Sequence, residues 1–182
     1  AGGIAGNIEV IGLDPASPQA DKKILEALKD AGAAMSVTDE KIVLQQSILR
    51  GFSFDATHCP DLFPPLVALA AYCEGQTVIK GVSRLAHKET DRGTTLKEEF
   101  GKMGLEVQLD GDIMTIDGVK ALKASTVHSR HDHRIAMACA VAALRANGSV
   151  RIQDAEAINK SYPDFYTDIQ KLGAAVKVVN SE

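Results

Sequence analysis

The chain has 182 residues, 45% of them hydrophobic, and carries 20 Lys and Arg against 24 Asp and Glu for a net charge of −4. That is globular rather than disordered composition; the acidic balance argues against a dedicated nucleic-acid binder, and 4% aromatics without Trp leave no stacking platform for single strands. No apolar run reaches the roughly 18 residues of a membrane span, no secretory leader is evident, and three sparse cysteines, Cys59, Cys73 and Cys139, suit a reducing, cytoplasmic setting.

The chain opens on Ala1-Gly2-Gly3 with no initiator Met and enters a strand pattern at residues 8–11. An amphipathic helix follows at 25–32 (LEALKDAG), closed by Gly32, and then an alternating strand at 34–37. Residues 62–72 (LFPPLVALAAY) are apolar on every side, which predicts a buried helix with Pro64 and Pro65 in its first turn and a stop at Glu74-Gly75. Val78-Ile79-Lys80-Gly81 matches the earlier Glu9-Val10-Ile11-Gly12, and 97–104 (KEEFGKMG) matches 25–32, with a strand at 105–109 behind it. A second all-apolar helix at 135–144 (IAMACAVAAL) is expected to end at Asn147-Gly148. The matched helix then returns at 166–173 (YTDIQKLG), followed by an alternating run at 175–179. The three closing glycines stand 72 and 69 residues apart, and a fixed period of this kind decides architecture. The expected fold is α/β, built of repeated βαβαββ units whose buried parallel helices are surrounded by sheets. The units are a partial first repeat at 1–52, a second at 53–124 and a third at 125–182. The first lacks its buried helix, so the chain reads as a truncated lobe of a longer protein.

Unusual polar residues collect where helices begin. Asp61 precedes the first buried helix, Lys88-Glu89-Thr90-Asp91-Arg92 the next amphipathic one, and His131-Asp132-His133-Arg134 the second buried one. Asn159-Lys160-Ser161 precedes the last helix, where Ser161 and Asp164 have capping-box spacing. All five histidines, at 58, 87, 128, 131 and 133, lie near the first three junctions. Parallel buried helices bring their N-termini to one end, where free N–H groups and helix dipoles favour anions. Lys88, Arg92, Arg134 and Lys160 add full positive charge there, which predicts a site for a phosphate- or carboxylate-bearing ligand. Plainer readings exist for each residue. Asp61, Asp91 and Asp132 can be N-caps; Lys88 and Arg92, four apart, can be solvated charges; Glu89 can be a surface ion partner of Lys88. His128, His131 and His133 have spacing that permits metal ligation, although the charge of Arg134 opposes a cation. Cys73 and Cys139 sit in apolar helices as small core residues.

The Lys88-Glu89-Thr90-Asp91-Arg92 string, followed by Asp132-His133-Arg134-Ile135-Ala136-Met137, resembles the enolpyruvyl transferase family, and more narrowly its branch that acts on shikimate 3-phosphate. Pro60-Asp61 before an Ala-rich helix and Lys160-Ser161-Tyr162-Pro163-Asp164 agree in order and spacing, so the resemblance runs from about Ile8 to Val179. Ala86 and Gly93 depart from the family pattern, which has a basic residue and a large apolar one there. The family's other lobe, with its Lys-Ser pair, has no counterpart in these residues. The resemblance implies transfer of the enolpyruvyl group of phosphoenolpyruvate to the 5-hydroxyl of shikimate 3-phosphate, with release of phosphate and no cofactor or metal. It implies Asp61 as the group that binds and deprotonates the hydroxyl, Glu89 as the acid that gives and removes the methyl proton, and Lys88 as a contact to the hydroxyl and the intermediate. Arg92 and Arg134 become the clamp on the phosphoenolpyruvate carboxylate, Lys160 a contact to its phosphate, and His133 a neighbour in support. The site would be completed by the N-terminal lobe of the same protein, so this piece is expected to fold without turning over substrate. The competing readings are the family's branch acting on UDP-N-acetylglucosamine, a metal enzyme built on the His cluster, and a non-catalytic anion-binding module.

Overall fold

The computed structural model describes residues 1–14, 16–86 and 88–179; His87, one of the five histidines, lies outside them. The elements in chain order are α1 (Gly2–Ala5), β1 (Ile8–Ile11), α2 (Ile24–Asp30), β2 (Ala34–Val37), β3 (Lys41–Gln45), β4 (Leu49–Arg50), β5 (Ser53–Asp55), α3 (Phe63–Ala70), β6 (Cys73–Glu74) and β7 (Gln76–Lys80). They continue with α4 (Arg92–Lys102), β8 (Glu106–Asp110), β9 (Ile113–Asp117), β10 (Lys123–His128), α5 (His133–Ala143), β11 (Asn147–Gln153) and α6 (Phe165–Lys171). Four short 3₁₀ turns join these, among them Pro60–Leu62 before α3 and Ala155–Lys160 before α6. No helix of the described residues is long and apolar enough to cross a membrane.

The middle of the chain forms the repeat in full: β5, α3, β7, α4, β8 and β9 follow one another as a βαβαββ unit. Its sheet has the order β5-β7-β9-β8, parallel at the first pair and antiparallel at the others. Alternation sets which face is inside: Thr77 and Ile79, Val107, and Met114 and Ile116 are buried, and register pairs Ile79 with Met114. The first sheet, β1-β3-β2, repeats the β7-β9-β8 part of this order with the same antiparallel pairings. The third, β10 beside β11, repeats the parallel β5-β7 part. Gly32, Gly104 and Gly173 follow α2, α4 and α6 at positive φ (77°, 84° and 103°), the left-handed stop that the repeat requires.

The buried helices behave as their composition dictates. In α3 every residue except Pro65 is buried, and no residue of α5 is fully exposed. Phe63, Leu66 and Val67 of α3 share one core with Leu96 and Phe100 of α4 and with Met114 and Ile116 of β9. By contrast α4 is amphipathic, with Arg92, Leu96, Glu99 and Phe100 inward and Lys97, Glu98 and Lys102 outward. Two hydrogen bonds define how α3 and α5 run. At one end Arg134 Nη1 donates to the Asp61 carbonyl at 3.3 Å, and at the other Tyr72 Oη donates to the Ala142 carbonyl at 2.5 Å. Start meets start and end meets end, so the two helices are parallel neighbours.

Three expectations need correction. Neither expected stop is where its helix ends: α3 ends at Ala70 and α5 at Ala143, while Glu74 lies in β6 and Asn147-Gly148 begin β11. Residues 175–179 form no strand, because no described strand lies alongside to take their backbone hydrogen bonds. The Ser161–Asp164 capping box is also absent. Pro163 disfavours a helical Tyr162, α6 starts only at Phe165, and its N-cap Asp164 makes no side-chain cap bond.

Close approach of backbones fixes where the connection from β9 passes α3. The Gly118 N–H donates to the Gly75 carbonyl, and a Cβ at Gly118 would stand 1.9 Å from the Cys73 carbonyl oxygen. Backbone cannot yield as a flexible side chain does. Gly118→Ala is therefore expected to destabilise the chain by about 3 kcal/mol, read from urea unfolding. A loss below about 1 kcal/mol would show that the two segments can part.

Candidate active site

Three junctions meet where α3, α4 and α5 begin. The 3₁₀ turn Pro60–Leu62 delivers Asp61 to the start of α3. Asp91 caps α4, its Oδ1 accepting from the Thr94 N–H at 3.3 Å and its Oδ2 from the Thr94 hydroxyl at 2.9 Å. Asp132 caps α5, accepting from the Arg134 N–H at 2.9 Å. Asp61 is not the N-cap of α3, which is Leu62, and its carboxylate turns instead to Lys88, Arg92 and Arg134.

Arg92, the first residue of α4, lies at the centre with 1% of its side chain exposed. Its Nε donates to Asp132 Oδ2 at 2.6 Å and its Nη2 to Asp132 Oδ1 at 3.3 Å. Nη1 donates to Asp61 Oδ1 at 2.7 Å, and Nη2 also bonds Glu89. Asp132 is itself fully buried, and Thr90 Oγ1 reaches its Oδ2 at 3.5 Å. Burial lowers the affinity of Arg92 for its proton, but Asp132, Glu89 and Asp61 outweigh it and raise the guanidinium pKa. Asp61 collects two further cations: Lys88 Nζ at 3.0 Å from Oδ1, and Arg134 Nη2 at 3.4 Å from Oδ2. Partial burial acts to raise the Asp61 pKa, yet Lys88, Arg134 and Arg92 hold it below the ordinary carboxylate range.

The structure thus brings together Asp61, Lys88, Glu89, Arg92, His133 and Arg134. His133 turns its Nδ1 toward Glu89 Oε1 at 3.8 Å, too far for a hydrogen bond, and that buried nitrogen has no protein partner. Lys160 reaches the same end differently, bonding the carbonyl of His131 in the loop before α5. Lys88 and Arg92 are not a solvated pair, since both converge on Asp61. The Arg92 guanidinium is met by three carboxylates of the chain itself. Arg92, Lys88 and Arg134 face Asp61, Glu89 and Asp132, three cations against three anions. The cluster is internally neutral.

The remaining candidates separate. The His128 and His131 rings meet edge to face with centroids 6.2 Å apart, but His128 Nδ1 accepts from the Arg130 N–H, His131 pairs with Asp154, and His133 faces Glu89 elsewhere, so the three do not converge on one point. Among the described residues no three His, Cys, Asp or Glu gather as metal ligands would. All three cysteines are buried free thiols, and burial pushes Cys73 and Cys139 up to about 12, which disfavours the nucleophilic thiolate.

The family model for EPSP synthase (3-phosphoshikimate 1-carboxyvinyltransferase) matches residues 1–169. The chain belongs to the EPSP synthase family. Curated relatives named 3-phosphoshikimate 1-carboxyvinyltransferase include that of Clostridium acetobutylicum, 42% identical over 97% of this chain and 41% of the relative. That of Clostridium novyi is 39% identical over 97% of this chain and 40% of its own length. The chain therefore spans about two fifths of the curated relatives it matches. The EPSP synthase structure from Acinetobacter baumannii superposes with a TM-score of 0.80 at 25% identity, covering 97% of this chain and 43% of that one. The enolpyruvyl transferase NikO from Streptomyces tendae shares the fold, with a TM-score of 0.72 at 21% identity over 95% of this chain and 41% of its own.

In this EPSP synthase family member Asp132 is more than the cap its place in the sequence suggests: it is the fully buried counter-ion of Arg92, held by two hydrogen bonds. The signal in the sequence is an acid at the mouth of an all-apolar helix, which needs a cation if buried. Removing it strands the guanidinium. Asp132→Ala is expected to cost about 3–5 kcal/mol of stability, measured by denaturant unfolding; a loss near the roughly 1 kcal/mol of a simple cap would refute the pairing role. Acid should act in the same direction. Asp61, Glu99 and Asp154 all have native pKa values below their ordinary ones, where burial is outweighed by neighbouring cations and N–H donors. Lowered native values stabilise above the unfolded pKa, so their contribution is complete above about pH 5 and fades as the pH falls through about 4 toward the native values. A urea midpoint unchanged between pH 6 and 3 would contradict this.

Proposed function

We propose that this chain is one lobe of an enzyme that transfers the enolpyruvyl group of phosphoenolpyruvate to the 5-hydroxyl of shikimate 3-phosphate, releasing phosphate in the pathway to aromatic amino acids. The observation that carries this reading is the cluster around Arg92, where Asp61, Glu89 and Asp132 converge with Lys88 and Arg134. Addition–elimination between two multiply anionic substrates needs a base, an acid and several cations within one site, and no redox partner. The N-terminal lobe of the same protein supplies the opposing wall, and the lobes enclose small-molecule substrates rather than nucleic acid or membrane. The three free, buried cysteines support a cytoplasmic setting. We read the lobe as a partial repeat at 1–52, a full repeat at 53–124 and a third at 125–182.

The roles follow from position. Asp61, held ionised beside Lys88 and Arg134, accepts the proton of the 5-hydroxyl as its oxygen bonds C2 of phosphoenolpyruvate. Glu89, which takes up a proton from water when the substrate carboxylate displaces it from Arg92, gives that proton to C3 and makes it a methyl group. In the second half the C2–phosphate bond breaks, Glu89 takes a proton back from that methyl group, and the double bond reforms. The proton on Asp61 leaves with phosphate, so acid and base return to their starting states. Lys88 steadies the attacking oxygen. Arg134, about a third exposed, meets the phosphoenolpyruvate carboxylate first. Arg92 joins the clamp by exchange: the substrate carboxylate takes the Nη2 that Glu89 now holds, and Glu89 is released toward C3 with His133 behind it. Lys160 meets the phosphate. Neutrality is preserved, since one carboxylate replaces another.

Glu89→Gln keeps the size of the side chain but removes its proton chemistry. In the complete enzyme it is expected to lower kcat at least about 100-fold, with KM for both substrates changed only a few-fold; equal losses in kcat and binding would reduce Glu89 to an ion partner of Arg92. The 182-residue chain by itself is expected to release no phosphate from phosphoenolpyruvate and shikimate 3-phosphate. Substantial turnover would overthrow the two-lobe reading.

A further inference from the structure

Three non-glycine residues among those described have positive φ: Arg130 at 56° and His131 at 60° in the loop that leads into α5, and across from them Asp154 at 55°, just after β11. Side chains disfavour that region, so neighbours must impose it. One carboxylate does so. Asp154 Oδ2 accepts from the His131 N–H at 2.6 Å and from the Ser129 hydroxyl at 2.7 Å, and lies 2.8 Å from His131 Nδ1. The Ser129 hydroxyl is also 2.7 Å from the Asp154 carbonyl, and the Ser129 N–H donates to the Gln153 carbonyl. Asp154 is 12% exposed while the His131 ring is 80% exposed, so the inward partner is the backbone and the ring is the outer edge. Beyond the clamp, the His131 carbonyl takes Lys160, and the Asp132 N–H donates to the Ser129 carbonyl. The following residues are the cap Asp132 and then His133 and Arg134.

We propose that Asp154, which lies outside the cluster around Arg92, is a positioning residue for this site: its carboxylate holds the backbone at His131 in the turn that aims the His131 carbonyl at Lys160 and feeds Asp132 into the start of α5. The carbonyl takes one of the three ammonium donors of Lys160 and leaves the others for an anion. The placement stands on geometry alone, and its effect on phosphoenolpyruvate rests on the proposed function.

Two measurements separate these. The first is amide hydrogen exchange in the 182-residue chain. Asp154→Ala is expected to speed exchange at His131 and Asp132 by about ten-fold or more, with α3 and β7 unchanged. Unchanged exchange at His131 and Asp132, or a uniform rise throughout the chain, overturns the proposal. Asp154→Asn keeps an acceptor oxygen in place and is expected to hold His131 protection to within about three-fold, which also serves if the Ala variant does not fold; loss equal to that of Ala would give the clamp to the ring ion pair and overturn the proposal. The second is a cycle in the complete enzyme. Asp154→Ala is expected to raise KM for phosphoenolpyruvate about ten-fold with kcat within three-fold, and to add nothing to Lys160→Met. Additive losses overturn action through Lys160. Should no form release phosphate, the functional reading fails and the exchange data still decide the role of Asp154.

Discussion

A guanidinium taken out of water must be repaid at every face or it will not stay buried. Arg92 meets that condition only because two other stretches of chain, bringing Asp132 and Asp61, arrive beside its own, which supplies Glu89. Each stretch is the entrance to a helix, and the entrances coincide because α3 and α5 run parallel with α4 against them. The constraint works in both directions. The helices place the carboxylates, and the carboxylates hold the helix starts in register through a charge that tolerates little displacement.

Internal neutrality alters what the site asks of a ligand. An anion that merely adds charge gains little from a cluster whose cations are already matched. An anion that replaces Glu89 on Arg92 gains the hydrogen bonds without leaving the guanidinium unpaired. Planar carboxylates do this better than a spherical ion, because the bonds come in pairs with fixed direction. On the proposed function, then, the site discriminates by shape and by exchange more than by total charge.

The periodic parts of the sequence carried the fold. All-apolar runs became α3 and α5, alternation became β2 and β8, the match to β1 pointed to β7, and the repeated glycines became the stops of α2, α4 and α6, since each depends on a few neighbouring residues. Depth was harder to see. That Arg92 would be buried and its neighbour Asp91 exposed depends on which side of α4 faces α5, a matter of packing. Asp132 has the chemistry of a cap, and although a buried acid there calls for a cation, nothing local identifies that cation as Arg92, 40 residues earlier. Asp154 left no trace at all: it is a single acid after a strand, made important by a loop that returns from 23 residues before it. The run at 175–179 failed for the opposite reason, because alternation announces a strand but not the neighbour a strand requires.

The α3–α5 pair is fastened by unlike means at its two ends. Near Arg92 the fastening is ionic, while at the far end it is the Tyr72 phenol on the Ala142 carbonyl, with Arg145 5.1 Å over the ring. Burial pushes the Tyr72 phenol up to about 12, so it keeps its donor proton across any ordinary pH. Protons and salt can weaken only the ionic end. The sensitivity of this helix pair to its surroundings consequently has a polarity: acid and salt act on the end at Arg92, and the end at Tyr72 is indifferent to them.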